Sequence, residues 1–188
     1  MKHNCIASAL AAFLLFSSLA FAGERVAVWP KGKMPHRQEN QIAAMTDEAA
    51  QKGFKADKHR TAYIEWYDAP KADVRNGACM ILISGGGYNS CCDVKLVAGW
   101  AEKLTALGFQ CVNFVYRTPR PTGLPIWQTA WEDGQRAVRM VRKDAEKRGF
   151  DPEKIGTISM SAGSHLALLL GTSSQTKAYE PVDALDSI

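Results

Sequence analysis

Three short apolar runs, each followed by a segment of helical periodicity, constrain the fold of this chain more than any other feature. The runs are residues 79–83, 111–116 and 155–159. Continuous apolar runs of this length are typical of strands covered on both faces. Strands that alternate with helices form a parallel sheet with right-handed crossovers. The sequence therefore predicts the α/β class, as a three-layer α/β/α sandwich around a mostly parallel sheet.

The helices predicted from apolar spacing have clear ends. The first ends at Gly108, the second at Gly149, and the third runs through residues 162–171. Three arginines of the second helix lie off its apolar stripe and are expected to face solvent: Arg136, Arg139 and Arg142. With a net charge of only +4 and no basic block, a nucleic-acid partner is not expected.

The first 22 residues differ from the rest of the chain. A short basic start precedes an apolar stretch, and Ala20 and Ala22 give the small-residue pattern of a signal-peptidase site. The stretch is shorter than the roughly 20 residues of a membrane span. We therefore predict a signal peptide over residues 1–22, a secreted or periplasmic location, and no membrane association after cleavage.

The mature chain is expected to contain one domain. Residues 23–62 are polar and broken by prolines, which predicts an extended leader over the surface, with a short helix near residues 46–51. Residues 63–188 form the partial α/β domain, and its first strand is the aromatic segment 63–67.

Four cysteines lie beyond the signal segment, and none has the C-x-x-C spacing of a zinc site. A metal is therefore not expected. Cys79 and Cys111 each open a predicted strand and are candidates for one disulfide in an oxidising compartment. The alternative is that the cysteines are buried free thiols.

The first chemical motif is Ser159-Met160-Ser161-Ala162-Gly163, between the third strand and the third helix. It matches the nucleophile elbow, in which small residues flank a serine at a strained strand-to-helix turn. Bulk at Ser159 or Gly163 would collide with the strand or the helix. The motif predicts that Ser161 is a nucleophile held near the positive end of a helix dipole.

The second motif is Ser84-Gly85-Gly86-Gly87-Tyr88, directly after the first strand. Successive glycines let the backbone approach a ligand. A phosphate-binding loop is the rival interpretation, but no Lys-Ser/Thr follows and the G-x-G-x-x-G spacing is absent. The amides of Gly86 and Gly87, together with that of Ala162, are therefore predicted to form an oxyanion hole.

Six segments, two of which overlap the motifs above, follow one another along the chain in a characteristic order. They are residues 85–88, 116–117, 133–142, 151–156, 161–167 and 181–183. Together they resemble the secreted α/β-hydrolases of the acetyl xylan esterase-like, carbohydrate esterase type. The resemblance implies an α/β-hydrolase fold and the hydrolysis of acetyl or similar short acyl esters on plant polysaccharide.

A serine nucleophile needs a base and an orienting acid, which in this fold follow the serine in the order acid, then histidine. His165 is one helical turn past Ser161 and is predicted to be a packing or hydrogen-bonding residue. Asp183 and Asp186 are predicted to be solvated loop residues rather than the acid. We therefore expect a C-terminally truncated hydrolase that lacks its acid and histidine, with an exposed sheet edge and little or no activity.

The sequence thus predicts a serine carboxylic-ester hydrolase that forms an acyl-enzyme on Ser161. Tyr88 and the loop 117–125 would border the pocket for an acylated carbohydrate or another small ester. No metal or organic cofactor is expected. Two alternatives remain, a serine peptidase of the prolyl-oligopeptidase type and a non-catalytic binding remnant.

Overall fold

One five-stranded mixed sheet organises the protein in the computed structural model, which describes residues 23–37, 61–69, 72–91 and 94–188. Its strands are β1 (Arg25–Ala27), β2 (Tyr63–Tyr67), β3 (Cys79–Ile83), β4 (Gln110–Val115) and β5 (Ile155–Ser159). Their spatial order is β1-β2-β4-β3-β5. β3 lies between β4 and β5 and is parallel to both, as the sequence predicts. β2 is antiparallel to β4, and β1 is antiparallel to β2, so the sheet is mixed.

Helices cover both faces of the sheet. They are α1 (Val94–Ala106), α2 (Gln128–Lys143), α3 (Ala145–Arg148) and α4 (Ala162–Thr172), with short 3-10 helices at Ala72–Val74 and Ala184–Ser187. On one face, Val97 and Ala101 of α1 pack against Leu82 of β3. The opposite face belongs to a second apolar cluster, which includes Val141 of α2 and Leu166 of α4. The predicted three-layer sandwich is confirmed.

Cys79 and Cys111 do not form the disulfide that their place in the sequence suggested. Both are buried and both carry free thiols. Cys111 pairs with Met80 across the parallel ladder and packs with α1, whereas Cys79 belongs to the cluster on the opposite face. Cys111 lies one position further along its strand than the residue that pairs with Cys79. Because successive side chains of a strand alternate between the two faces of a sheet, Cys79 and Cys111 point to opposite faces. The alternative of buried free thiols is confirmed for these two residues.

The N-terminal segment enters the core. Residues 25–27 form the edge strand β1, and Val28 and Trp29 are buried against the cluster that contains α2. The predicted surface leader is therefore wrong for Val28 and Trp29, whereas Arg25 and Ala27 are exposed. The proposed signal peptide and the helix near residues 46–51 lie outside the described residues. Among the helices that are described, none has the length and apolarity needed to cross a bilayer.

Arg136 does not face solvent. Its side chain is 4% exposed, and Nε donates to the Val28 carbonyl while Nη2 and Nη1 donate to Asp183 and Asp186. Asp186 is itself only 2% exposed. The prediction of solvated side chains is wrong for Arg136 and Asp186, which are buried and neutralise one another. Asp183, with its side chain 32% exposed, is partly solvated as predicted. These ion pairs attach the C-terminal segment to α2.

Candidate active site

The serine elbow forms a sharp turn between β5 and α4. Ser161 has φ 52° and ψ −124°, a strained backbone for a residue other than glycine. The turn is closed by the Gly163 amide, which donates to the Met160 carbonyl at 2.9 Å, and by the Ser164 amide, which donates to the Ser161 carbonyl at 2.9 Å. Ser161 itself is exposed at the end of the sheet.

Gly163 is required by the close approach of α4 to β3. A Cβ atom added at this position would lie 2.4 Å from the Ile83 carbonyl oxygen and 2.5 Å from that of Ser84. Both distances are far inside van der Waals contact. The small residue that the motif demands therefore allows the helix to begin directly above the end of the neighbouring strand.

The glycine loop lies against the elbow. β3 and β5 are adjacent and parallel, with Ile83 paired to Ser159, so the loop after one and the turn after the other meet at the same sheet edge. A Cβ atom added at Gly85 would lie 2.8 Å from Ser161 Cβ and 3.4 Å from Ser161 Oγ. The sequence singled out Gly86 and Gly87 and missed this contact by Gly85, which only the strand register could have revealed.

The loop turns back on itself through Gly86. The amides of Asn89 and Ser90 donate to the Gly86 carbonyl at 3.0 and 3.2 Å. Gly86 has φ 130°, and a Cβ there would lie 2.0 Å from the Ser90 carbonyl oxygen. Within the described part of the chain, the amides of Gly86, Gly87 and Ala162 donate to no backbone carbonyl.

An aromatic cluster joins the loop to α4. The Tyr88 hydroxyl lies 2.8 Å from His165 Nδ1, and the His165 ring centroid is 5.4 Å from that of Trp127. Burial raises the pKa of Tyr88 to about 12, so its hydroxyl keeps its proton at neutral pH. The predicted hydrogen-bonding role of His165 is confirmed, and its ring contact with Trp127 was not predicted.

A second tyrosine supports the loop from below. The Tyr116 hydroxyl donates to the Ser84 carbonyl at 3.2 Å, and the rings of Tyr116 and Tyr88 are 5.6 Å apart. The Cys91 thiol lies 3.4 Å from the Tyr116 carbonyl oxygen. Cys92 lies outside the described residues. The base of the loop is thus held by buried groups of β3, β4 and the segment that follows the loop.

Tyr88 and Arg117 are less accessible than residues at a pocket rim would be. Tyr88 is 3% exposed and Arg117 is 6% exposed. The Arg117 guanidinium binds Asp133 and Glu132 of α2, so this side chain is a structural anchor and not part of a pocket lining. Further along the predicted rim, Arg120 and Gly123 are exposed and leave the loop 117–125 open to solvent.

Among the described residues, no imidazole or carboxylate is hydrogen-bonded to Ser161 Oγ. His165 Nδ1 is engaged by Tyr88, and His36 Nδ1 lies 2.6 Å from Glu132 Oε1. Asp183 and Asp186 both bind Arg136. The other two histidines lie outside the described residues. The same described segments contain no cluster of His, Cys, Asp and Glu that could hold a metal ion.

A sheet of this order, with a serine turn after β5 and a glycine loop after β3, is that of the α/β-hydrolases, here in incomplete form. The BD-FAE family profile matches residues 67–186, nearly two-thirds of the sequence. The chain therefore belongs to the BD-FAE family.

Two characterised proteins are similar in sequence over part of their length. Endo-1,4-beta-xylanase B of Butyrivibrio fibrisolvens is 35% identical over 88 residues, which are 47% of this chain and 14% of that protein. Esterase LipQ of Mycobacterium tuberculosis is 29% identical over 117 residues, 62% of this chain and 27% of LipQ. The chain thus spans a minor part of each relative.

Solved esterase structures share the fold. An acetyl ester-xyloside bifunctional hydrolase from Caldicellulosiruptor lactoaceticus superposes with a TM-score of 0.58 at 23% identity, covering 84% of this chain and 49% of that one. Esterase Est2 of Thermogutta terrifontis superposes with a TM-score of 0.55 at 19% identity, covering 80% and 44%. The chain is about half as long as these hydrolases.

Proposed function

We propose that the protein is the nucleophile-bearing part of a serine carboxylic-ester hydrolase, with Ser161 as the nucleophile. The observation that carries this proposal is the contact of Gly85 with Ser161 at the shared end of β3 and β5. It supports the proposal because a strained, exposed serine lies against a glycine loop in which the Gly86 and Gly87 amides donate to no backbone carbonyl of the described residues. In folds of this class, ligands bind beyond the carboxyl ends of the strands, and strained residues cluster at functional sites.

The proposed reaction proceeds through an acyl-enzyme. Ser161 Oγ attacks the ester carbonyl carbon, its proton passes to a base, and the carbonyl oxygen becomes an oxyanion. The amides of Gly86, Gly87 and Ala162 would donate to that oxygen, and the first turn of α4 adds its positive dipole end. The C–O bond then breaks and the alcohol leaves with a proton. Water attacks the acyl-serine, releasing the acid and restoring the serine.

The proposed substrate is an acylated carbohydrate, with acetylated plant polysaccharide such as xylan as the first choice. Support comes from the relatives, since one is named a xylanase and one structural neighbour an acetyl ester-xyloside hydrolase. The exposed part of the loop 117–125 would border the sugar. Contact of Tyr88 with the substrate stays a prediction. Because Tyr88 is buried, we expect only the edge of its side chain to touch a substrate. Export of the protein is proposed from the composition of residues 1–22.

Turnover by the 188-residue chain is expected to be low. No group placed to take the Ser161 proton exists among the described residues, and a serine without its base retains only the catalysis of the oxyanion hole and binding. Hydrolysis of p-nitrophenyl acetate should therefore be close to background. Rapid turnover that Ser161→Ala abolishes would contradict this expectation while supporting the nucleophile.

The nucleophile is tested by a fluorophosphonate probe, which reacts with an exposed serine held at an oxyanion site and reacts fastest when a base activates that serine. We expect slow labelling of the wild-type chain and none of Ser161→Ala. Ser164→Ala is the matched control, because Ser164 lies in the same turn and its hydroxyl accepts from Ser159 Oγ at 3.3 Å. It should label like the wild type. Failure of the wild type to label under any condition favours a non-catalytic binding role.

A further inference from the structure

We propose that the Tyr88–His165 hydrogen bond is a tether that positions the glycine loop against the serine elbow. The proposal rests on the proposed function, since the groups it positions are the amides assigned to the oxyanion. Tyr88 and His165 would act through the loop and would not touch the reacting atoms. They are therefore positioning residues of the site.

Tyr88 holds a conformation that needs external support. Its φ is 63°, in the left-handed region that residues with a side chain rarely occupy. It directly follows two glycines whose φ values are also positive, Gly86 and Gly87. A segment of this flexibility keeps one geometry only where side-chain contacts fix it. Tyr88 supplies them, because its ring is buried against Tyr116 and its hydroxyl reaches α4.

His165 gives the tether a rigid anchor. Its own amide donates to the Ser161 carbonyl at 3.3 Å, in the first turn of α4. Its ring contacts Tyr88 on one side and Trp127 on another, with centroids 6.0 and 5.4 Å away. The residue that binds the loop is therefore fixed in the same turn as the nucleophile. Across the segments described, this is the sole side-chain hydrogen bond between residues 84–90 and α4.

The hydroxyl and the imidazole have complementary roles at neutral pH. The Tyr88 hydroxyl keeps its proton, and it donates to His165 Nδ1 in the tautomer that carries no proton on that nitrogen. An asparagine at position 165 would place an amide oxygen near the place of Nδ1, whereas alanine would leave the hydroxyl without a partner. The hydrogen bond can thus be removed by a substitution at Tyr88 or at His165, and it can be restored by asparagine at position 165.

Amide hydrogen exchange of the full 188-residue chain tests the tether without any need for turnover. The reporters are the amides of Asn89 and Ser90, which bond to the Gly86 carbonyl and lose protection when the loop opens. We expect exchange about five- to tenfold faster in Tyr88→Phe and in His165→Ala, as for loss of one hydrogen bond. His165→Asn should exchange within about twofold of the wild type. Amides of β4 serve as the control and should not change.

Unchanged exchange in Tyr88→Phe would overturn the tether, and so would His165→Asn exchanging as fast as His165→Ala. The positioning role is read from fluorophosphonate labelling of Ser161, which should slow about tenfold in Tyr88→Phe and recover in His165→Asn. Equal labelling rates in Tyr88→Phe and wild type would overturn it. A wild-type Ser161 that never labels, with exchange as expected, would contradict the proposed function alone.

Discussion

The Arg117 guanidinium donates through Nε to both carboxylate oxygens of Asp133, at 2.8 and 3.0 Å. The same carboxylate accepts from the Arg117 amide at 2.8 Å and from Trp29 Nε1 at 2.6 Å. Asp133 therefore joins three parts of the chain: the segment after β4, helix α2 and the N-terminal segment after β1. Both charged side chains are buried, and Arg117 also binds the buried carboxylate of Glu132, so the three side chains form one charged cluster.

Asp133→Asn should destabilise the protein by about 3–5 kcal/mol, because an amide NH2 group would face buried N–H donors of Arg117 and Trp29 that now bind a carboxylate. Urea denaturation followed by circular dichroism measures this. Arg120→Ala is the matched control, since Arg120 lies in the same segment and is exposed. Its effect should stay within about 0.5 kcal/mol. Equal effects of the two substitutions would show that the ion pair has no structural role.

Gly163→Ala should be severely destabilising, by about 3 kcal/mol, because the new methyl group would overlap the carbonyl oxygens of Ile83 and Ser84. Gly171→Ala in the same helix meets no atom within 4 Å. It should be neutral or stabilise by up to about 1 kcal/mol, as alanine favours helix more than glycine does. Thermal unfolding compares the two. A stable Gly163→Ala chain would contradict the close approach of α4 to β3.

The C-terminal attachment should weaken in acid. The Arg136 guanidinium lowers the pKa of Asp183. Burial of Asp186 opposes its ionisation, but hydrogen bonds from the Tyr179 hydroxyl and the Val182 amide, with the charge of Arg136, bring its pKa below the ordinary value. With native pKa values below the unfolded value of about 3.9, the unfolded state binds protons first as the pH falls. The stabilisation is thus complete above about pH 5 and lost below about pH 4.

Asp186→Asn tests this pH dependence. Its unfolding temperature should lie below that of the wild type near neutral pH, and the difference should shrink as the pH falls through about 4. Unfolding temperatures measured by circular dichroism across this range decide the matter. A difference that is constant with pH would mean that the charge of Asp186 contributes nothing.

The two buried thiols should be chemically inert in the native protein. Burial raises the pKa of Cys111 to about 12 and raises that of Cys79 as well, and only thiolates react with iodoacetamide. Mass spectrometry should find both residues unmodified at about pH 8 and alkylated once urea unfolds the chain. A peptide pair joined by a Cys79–Cys111 disulfide would contradict the placement of these side chains on opposite faces.

Local patterns predicted the parts of the fold that depend on neighbouring residues. The strands at Cys79–Ile83 and Ile155–Ser159 and the end of α1 before Gly108 follow from apolar runs and a glycine stop. The small residues around Ser161 likewise predicted a tight turn at the start of α4, because a strained turn restricts the residues beside it.

What the sequence could not reveal depends on partners far along the chain. Nothing in the neighbouring sequence distinguishes Arg136 from a solvated arginine. Its ion-pair partners, Asp183 and Asp186, lie about 50 residues away. β1 is three residues long and contains a charged residue, so the sequence has no periodicity from which this strand could be predicted. Tyr88 and His165 are 77 positions apart, so their hydrogen bond could be predicted only with the knowledge that β3 and β5 are neighbours in the sheet.

The structure of the chain after reaction with paraoxon tests the central claim most directly. We predict a diethylphosphoryl group on Ser161 Oγ, with its phosphoryl oxygen about 2.7–3.1 Å from amides of Gly86, Gly87 and Ala162. A phosphoryl oxygen turned to solvent, or phosphorylation at other serines with Ser161 unmodified, would contradict the assignment of Ser161 and the glycine loop as one catalytic unit.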